Sequence, residues 1–288
     1  MRAHALQMVP KRLPYRLVFW PATSRSVLPC WLALPEHPVP GQPPLVAVHG
    51  IRRGAEQQAA LFAERAAAQG RVVIAPIFDK ASWLGYQQAV LCGRADLALL
   101  DLLLSLRVAG VVTTERFDLF GFSGGAQFAH RFAMLHPDRL RRLSVASPGW
   151  YTFPDTACYP YGLWPRPDHT DGWGHRLAAN LHRFLTLPIT VSVGACDSRR
   201  DRNTRSGPQI DAQQGPHRLA RARSWAQALR RAACELRIQP DIALHVLPGC
   251  GHHFETCMRL GGLDRIVLPK AGSGQSRVPT PHTRGARA

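Results

Sequence analysis

The stretch that decides the fold is Phe117-Asp118-Leu119-Phe120-Gly121-Phe122-Ser123-Gly124-Gly125. Its first six residues form a short apolar run suited to a buried strand, and the segment 124–136 that follows reads as a helix stopped by Pro137. Between them lies Gly-x-Ser-x-Gly. A serine on a sharp strand-to-helix turn needs small neighbours, because any larger side chain would clash. Such a turn lifts the Ser123 hydroxyl above the sheet, beside the free N–H groups of the next helix.

Outward from this turn, buried strands alternate with helices. Upstream, 16–20 and 30–34 read as short strands, 36–44 as a proline-rich connector, and 45–49 and 72–78 as buried strands. Helices are expected at 55–69, closed by Gly70, and at 94–108. Downstream, strands are expected at 143–147, 189–194 and 242–247. A helix is expected at 217–234, where Leu219, Ala222, Ala226, Leu229 and Ala233 step at helical spacing. This rhythm implies βαβ units and a mostly parallel sheet. Segment 149–187 breaks it. It is rich in Trp, Tyr, Phe and Pro, and reads as an inserted cap with no regular element. The expected organisation is a basic extension at 1–13, a core at 14–148 and 188–268, a cap at 149–187 and a flexible basic tail at 269–288.

A serine hydroxyl needs an adjacent base. The expected base is His252, in the Gly-rich loop after the last strand (Leu247-Pro248-Gly249-Cys250-Gly251-His252-His253), with His253 as the alternative. The expected acid is Asp197, which follows the strand 189–194. Loops at that end of a parallel sheet gather active-site groups. Asp201 is the alternative, its bland reading being a local ion pair with Arg199, Arg200 or Arg202. Acyl transfer also needs oxyanion donors. These are expected to be the backbone N–H of Gly124 and that of Ile51, in the turn His49-Gly50-Ile51. His49 itself reads as structural, and His130 and His136 as exposed helix residues. From the cap, Trp150, Tyr151 and Trp164 are expected to supply an apolar substrate face.

Composition bounds the rest. The 288 residues carry a net charge of +17, of which the acid-free ends 1–16 and 270–288 hold eight, leaving +9 for the middle. Only three of the 36 basic residues are lysine, a bias that GC-rich coding alone produces. A field of this sign attracts anions in a salt-dependent way. No nucleic-acid-binding motif accompanies it, and the Arg-rich stretches 199–205 and 218–231 read as solvated faces, so a nucleic-acid partner is not expected. No apolar run reaches the ~18 residues of a membrane span. The seven cysteines are widely spaced without Cys-x-x-Cys, so no metal site or disulfide framework is expected. The first 20 residues lack an apolar signal core, and the expectation is a cytoplasmic protein with free thiols and no cofactor. Oligomeric state is left open.

The order Ser123, Asp197, His252, with His49-Gly50 upstream, resembles the α/β-hydrolase superfamily over residues 14–268. That resemblance implies an eight-stranded, mostly parallel α/β sheet flanked by helices, with the cap inserted after the sixth strand. Gly121 to Phe128, Pro148-Gly149-Trp150-Tyr151, and Gln213-Gln214-Gly215 with Arg218 and Arg221 are similar to the bacterial polyhydroxybutyrate-depolymerase-like esterases. The implied activity is cleavage of a small-molecule carboxylic ester or thioester through an acyl-enzyme. The alternatives are a non-catalytic binding protein on the same fold, or a hydrolase or acyltransferase for anionic acyl substrates such as acyl-CoA.

Overall fold

The computed structural model describes residues 13–270, apart from 25, 91–92 and 166–171. The expected terminal extension and tail fall outside the described residues except at their inner ends. The strands are β1 (Tyr15–Trp20), β2 (Cys30–Pro35), β3 (Leu45–Val48), β4 (Val73–Pro76), β5 (Phe117–Phe122), β6 (Leu140–Ala146), β7 (Ile189–Gly194) and β8 (Ile242–Leu247). They form one sheet in the order β1-β2-β4-β3-β5-β6-β7-β8, antiparallel at β1-β2-β4 and parallel from β4 to β8. This is the eight-stranded, mostly parallel, helix-flanked α/β-hydrolase architecture. The central strands β3, β4 and β5 are buried at every residue, which is why they read as apolar runs, interrupted only at Asp118, whose carboxylate pairs with Arg71 (2.7 Å).

The helices include α1 (Ala55–Ala67), α2 (Ala95–Val108), α3 (Gly124–Leu135), α4 (Trp173–Ala179), α5 (Leu181–Leu185), α6 (Pro208–Gln214), α7 (Arg218–Glu235), α8 (Phe254–Arg259) and α9 (Leu263–Val267). No helix among the described residues is long and apolar enough to cross a membrane. Two local expectations are corrected. Strand β6 starts at Leu140 rather than 143, because Leu140 is buried and pairs with Phe117, while the exposed Arg141 beside it breaks the apolar run. Segment 149–187 contains two short helices, α4 and α5, whose apolar residues Leu177, Phe184 and Leu185 join the main core.

Residues 149–165 are irregular but pinned. The buried His130 of α3 accepts the Thr152 amide through Nε2 (2.9 Å) and donates from Nδ1 to the Ala126 carbonyl (2.8 Å). On the other side, Trp225 of α7 donates to the Thr152 carbonyl (2.9 Å) and stacks on Tyr151, ring centroids 4.6 Å apart. His130 is therefore an interior pillar, not an exposed helix residue, and burial pushes it well below its usual value. His136 is half-buried and paired with the fully buried Asp96 of α2 (2.9 Å). A helical pattern shows which face is apolar. It does not show that a neighbouring loop will reach a histidine on that face.

At the end of β3, His49 is 1% exposed, and its Nε2 accepts the Phe78 amide (3.1 Å), tying β3 to the loop after β4. Burial, assisted by the nearby Arg53 charge, lowers it to about 4. The turn after β5 packs against the same strand end. A methyl group on Gly125 would collide with the Val48 and His49 carbonyls, and one on Gly121 with Gly125 itself.

Two outcomes are expected. Gly125→Ala lowers stability by about 3 kcal/mol or prevents folding, because backbone cannot retreat as a flexible side chain can; thermal melting checks this. The unfolded chain takes a proton on His49 near pH 6.5 and the folded chain only near 4. Stability is therefore full above about pH 6.5 and is lost as pH falls toward 4, by about 3 kcal/mol from this group, with His130 adding the same sign. Urea unfolding at pH 7 and pH 4.5 should show the loss, reduced in His49→Gln.

Candidate active site

Ser123 occupies the tip between β5 and α3 with φ +55° and ψ −114°, a strained conformation for a residue with a Cβ. The strain is held from both sides: the Ser123 amide donates to the Ala146 carbonyl of β6 (2.8 Å), and the Ser123 carbonyl accepts from the Ala126 and Gln127 amides of α3. The side chain is thereby aimed out of the sheet.

His252 comes to Ser123 from the loop after β8. Its Nε2 lies 3.0 Å from the Ser123 hydroxyl, and its Nδ1 lies 2.9 Å from Oδ2 of Asp197. The ring stacks on Phe122 at 5.3 Å between centroids, which fixes its tilt. The loops carrying the histidine and the acid are fastened to each other. Ala195 donates to the Leu247 carbonyl (2.9 Å) and Cys196 to the Cys250 carbonyl (2.8 Å). Gly194 permits this, since a side chain there would strike the Cys250 carbonyl. Asp197 is 4% exposed, and its own carbonyl accepts the Leu219 amide in the first turn of α7.

The alternatives from the sequence have other occupations. His253 caps α8, its ring accepting from Thr256. Asp201 pairs with Arg218 through both oxygens, at 2.9 and 3.0 Å, rather than with Arg199, Arg200 or Arg202. Burial would raise its carboxyl, but hydrogen bonds from Arg218 and Thr204 outweigh this and hold it well below the usual range.

Gly124 and Ile51 face each other across the turn. A Cβ built on Gly124 would lie 3.3 Å from the Ile51 nitrogen. Neither amide donates to a group among the described residues. Gly50 lies against Ser123, and Tyr86 donates to the His49 carbonyl (2.7 Å), which sets the course of this turn. The turns that carry these two amides thus pack against each other beside Ser123.

The cleft above these groups has a volume of about 230 Å³; Ile51, Phe122 and Phe254 provide its apolar wall, and Arg52, Gln57, Gln58 and Asn203 its polar one. The expected aromatic face is not part of it. Tyr151 is fully buried against Trp225, Trp150 is buried beneath the Arg131 guanidinium (4.0 Å), and Trp164 is exposed outside the cleft. The aromatics of 149–187 that were expected to meet substrate instead fasten the segment to the core or face solvent. In the Arg-rich stretches Arg199, Arg200, Arg202, Arg205, Arg223, Arg230 and Arg231 are exposed, as expected of solvated faces, but two arginines are not. Arg218 and Arg221 are 1% and 0% exposed, paired with Asp197, Asp201 and Asp211. The sequence offered both only through the resemblance, although Arg218 sits one turn before Ala222 on the apolar face. Among the described residues, no group of three or more His, Cys, Asp or Glu side chains could hold a metal ion.

Neither a protein-family model nor a curated protein sequence matches the chain. Among solved structures, the chain is similar to LpqC, a poly(3-hydroxybutyrate) depolymerase from Bordetella parapertussis. The identity is 26% over 90% of this chain and 92% of the other, with a TM-score of 0.70. It is also similar in fold to poly(aspartic acid) hydrolase-1 from Sphingomonas sp. KT-1, with 24% identity, 89% and 99% coverage and a TM-score of 0.74. A third likeness in fold is to a fluorophosphonate-binding serine hydrolase of Staphylococcus aureus, with 10% identity, 88% and 96% coverage and a TM-score of 0.56. By its sheet order and these likenesses, the chain has the α/β-hydrolase fold and is similar to a poly(3-hydroxybutyrate) depolymerase.

Proposed function

We propose that this protein is a serine hydrolase that cleaves carboxylic esters through an acyl-enzyme on Ser123. The observation that carries the reading is the unbroken relay from Ser123 through His252 to Asp197, at 3.0 and 2.9 Å. His252 takes the hydroxyl proton as Ser123 attacks the ester carbonyl. Asp197 holds the ring with its proton on Nδ1 and stabilises the imidazolium that forms. The amides of Gly124 and Ile51 receive the oxyanion, the ring returns the proton to the leaving alcohol, and water attacks the acyl-enzyme by the same route in reverse. The solved neighbours include a depolymerase and serine hydrolases, which supports ester hydrolysis in general terms. A cleft of about 230 Å³ is smaller than the ~300 Å³ at the low end for drug-sized ligands. It suits a short acyl group, with the alcohol portion extending into solvent.

One observation favours anionic esters within this class. Of the charged residues lining the cleft, Asp201 is neutralised by Arg218 and Glu255 by Arg259 (2.8 Å). Arg52, next to the proposed oxyanion donor, is exposed and has no acidic partner among the described residues. The cleft mouth is therefore positive, in a chain of net charge +17.

A fluorophosphonate probe should label Ser123, and the labelling should vanish in Ser123→Ala of unchanged fold. A folded wild-type protein that takes no label rules the reading out. Asp197→Asn should retain the fold and lose activity by ~10⁴-fold, because the wrong ring tautomer then faces the serine. For a carboxylate-bearing ester, kcat/KM should fall several-fold as salt is raised, and fall similarly in Arg52→Gln, while a neutral isostere changes little. Equal behaviour of the two esters removes the anionic preference.

A further inference from the structure

Arg218 stands behind the proposed relay. Its side chain is 1% exposed at the start of α7, an unusual position for a guanidinium unless it is paired. Nη1 reaches Oδ1 of Asp197 (3.3 Å) and Oδ2 of Asp201 (3.0 Å), and Nη2 reaches Oδ1 of Asp201 (2.9 Å). The Asp197 carboxylate is thus divided: one oxygen faces His252 and the other faces a buried positive charge. Asp201, 40% exposed in its side chain, draws the guanidinium in the opposite direction.

We propose that Arg218 is a positioning residue that sets the working pH of the Ser123 site, and that Asp201 tunes it by sharing the guanidinium. The inference rests on the relay proposed above. The geometry supplies the reason. A cation against Asp197 offsets part of the negative charge that would otherwise favour the imidazolium of His252. Removing that cation leaves the full carboxylate facing the ring, so the ring keeps its proton to higher pH and the base form is lost at the acid end. Removing Asp201 does the opposite, because Arg218 is then opposed by Asp197 alone.

The other groups facing this pair do not replace Arg218. Tyr151, from the segment after β6, is pushed well above its usual value by burial, with the Asp197 charge adding to it. Cys257 of α8 is raised to about 12, chiefly by burial. Both stay neutral over the working range. Arg221 is occupied with Asp211 and the Gly149 carbonyl. At the cleft side of His252 stand Arg52, exposed, and Glu255, paired with Arg259.

The test is the rate of fluorophosphonate labelling, with a neutral probe, from pH 5 to 9 on the full chain. In Arg218→Gln, which can still donate a hydrogen bond but carries no charge, the acid-side midpoint should move up by ~1 pH unit. Arg218→Lys restores the charge and should return the midpoint to near the wild-type position, even if the limiting rate is lower. Asp201→Asn, a change at a partly exposed side chain, should move the midpoint down. A folded Arg218→Gln protein with the wild-type midpoint overturns the proposal. If Arg218→Gln fails to fold, an unchanged or raised midpoint in Asp201→Asn overturns it, and a lowered one together with a normal midpoint in Arg218→Lys supports it. Wild-type protein that does not label at all overturns the relay instead, so the two failures are separable.

Discussion

The Ser123 turn depends on the packing of Gly125 against the carbonyls at the end of β3, with Gly121 beneath it. No side chain intervenes, so the first turn of α3 sits directly on the sheet. Three consequences follow from that contact. Ser123 is forced to positive φ and out of the sheet plane. The amide of Gly124 is brought level with that of Ile51 across the turn after β3. The cleft acquires its floor, because two loops that are distant in sequence now run side by side. A site assembled by backbone contact is stiff, and stiffness is what holds a hydroxyl within 3.0 Å of a ring nitrogen 129 residues away.

A second layer of order comes from buried charge. In each of the pairs Arg71 with Asp118, Asp96 with Arg94 and His136, and Arg218 and Arg221 with Asp197, Asp201 and Asp211, at least one partner is buried. Such pairs add little net stability, since desolvation takes back much of the attraction. Their effect is on geometry, because breaking one leaves an uncompensated charge inside. In the arginine pair of α7 this ties the helix start to the acid loop, to the loop at Arg205 and to Gly149. These paired groups nearly cancel one another, so the net charge of +17 is carried by the rest of the chain.

The segment between β6 and β7 shows how an aromatic-rich, proline-rich stretch can be ordered without much regular structure. Its backbone is clasped at Thr152 between His130 and Trp225. Its rings Tyr151, Phe153 and Tyr159 belong to the main core. Burial of large aromatic surface supplies the order that a helical or strand ladder supplies elsewhere.

Much of the architecture was legible in the sequence. Apolar runs marked the central strands, helical spacing marked α7, Pro137 marked the end of α3, and glycines around Ser123 marked the turn, because these are properties of a few neighbouring residues. The serine, the acid and the histidine were also legible as candidates, since each follows a strand in the loop at its carboxyl end. The meeting of those three groups depends on tertiary structure, which brings Ser123, His252 and Asp197 within hydrogen-bond reach of one another and holds His253 by Thr256 and Asp201 by Arg218, contacts invisible in composition. The same holds for Trp150 and Tyr151, read as a substrate face and found under Arg131 and against Trp225. Local sequence dictates which conformation a segment prefers and which face is apolar. Which partner covers that face depends on contacts between residues far apart in the chain, and only the closed fold determines them.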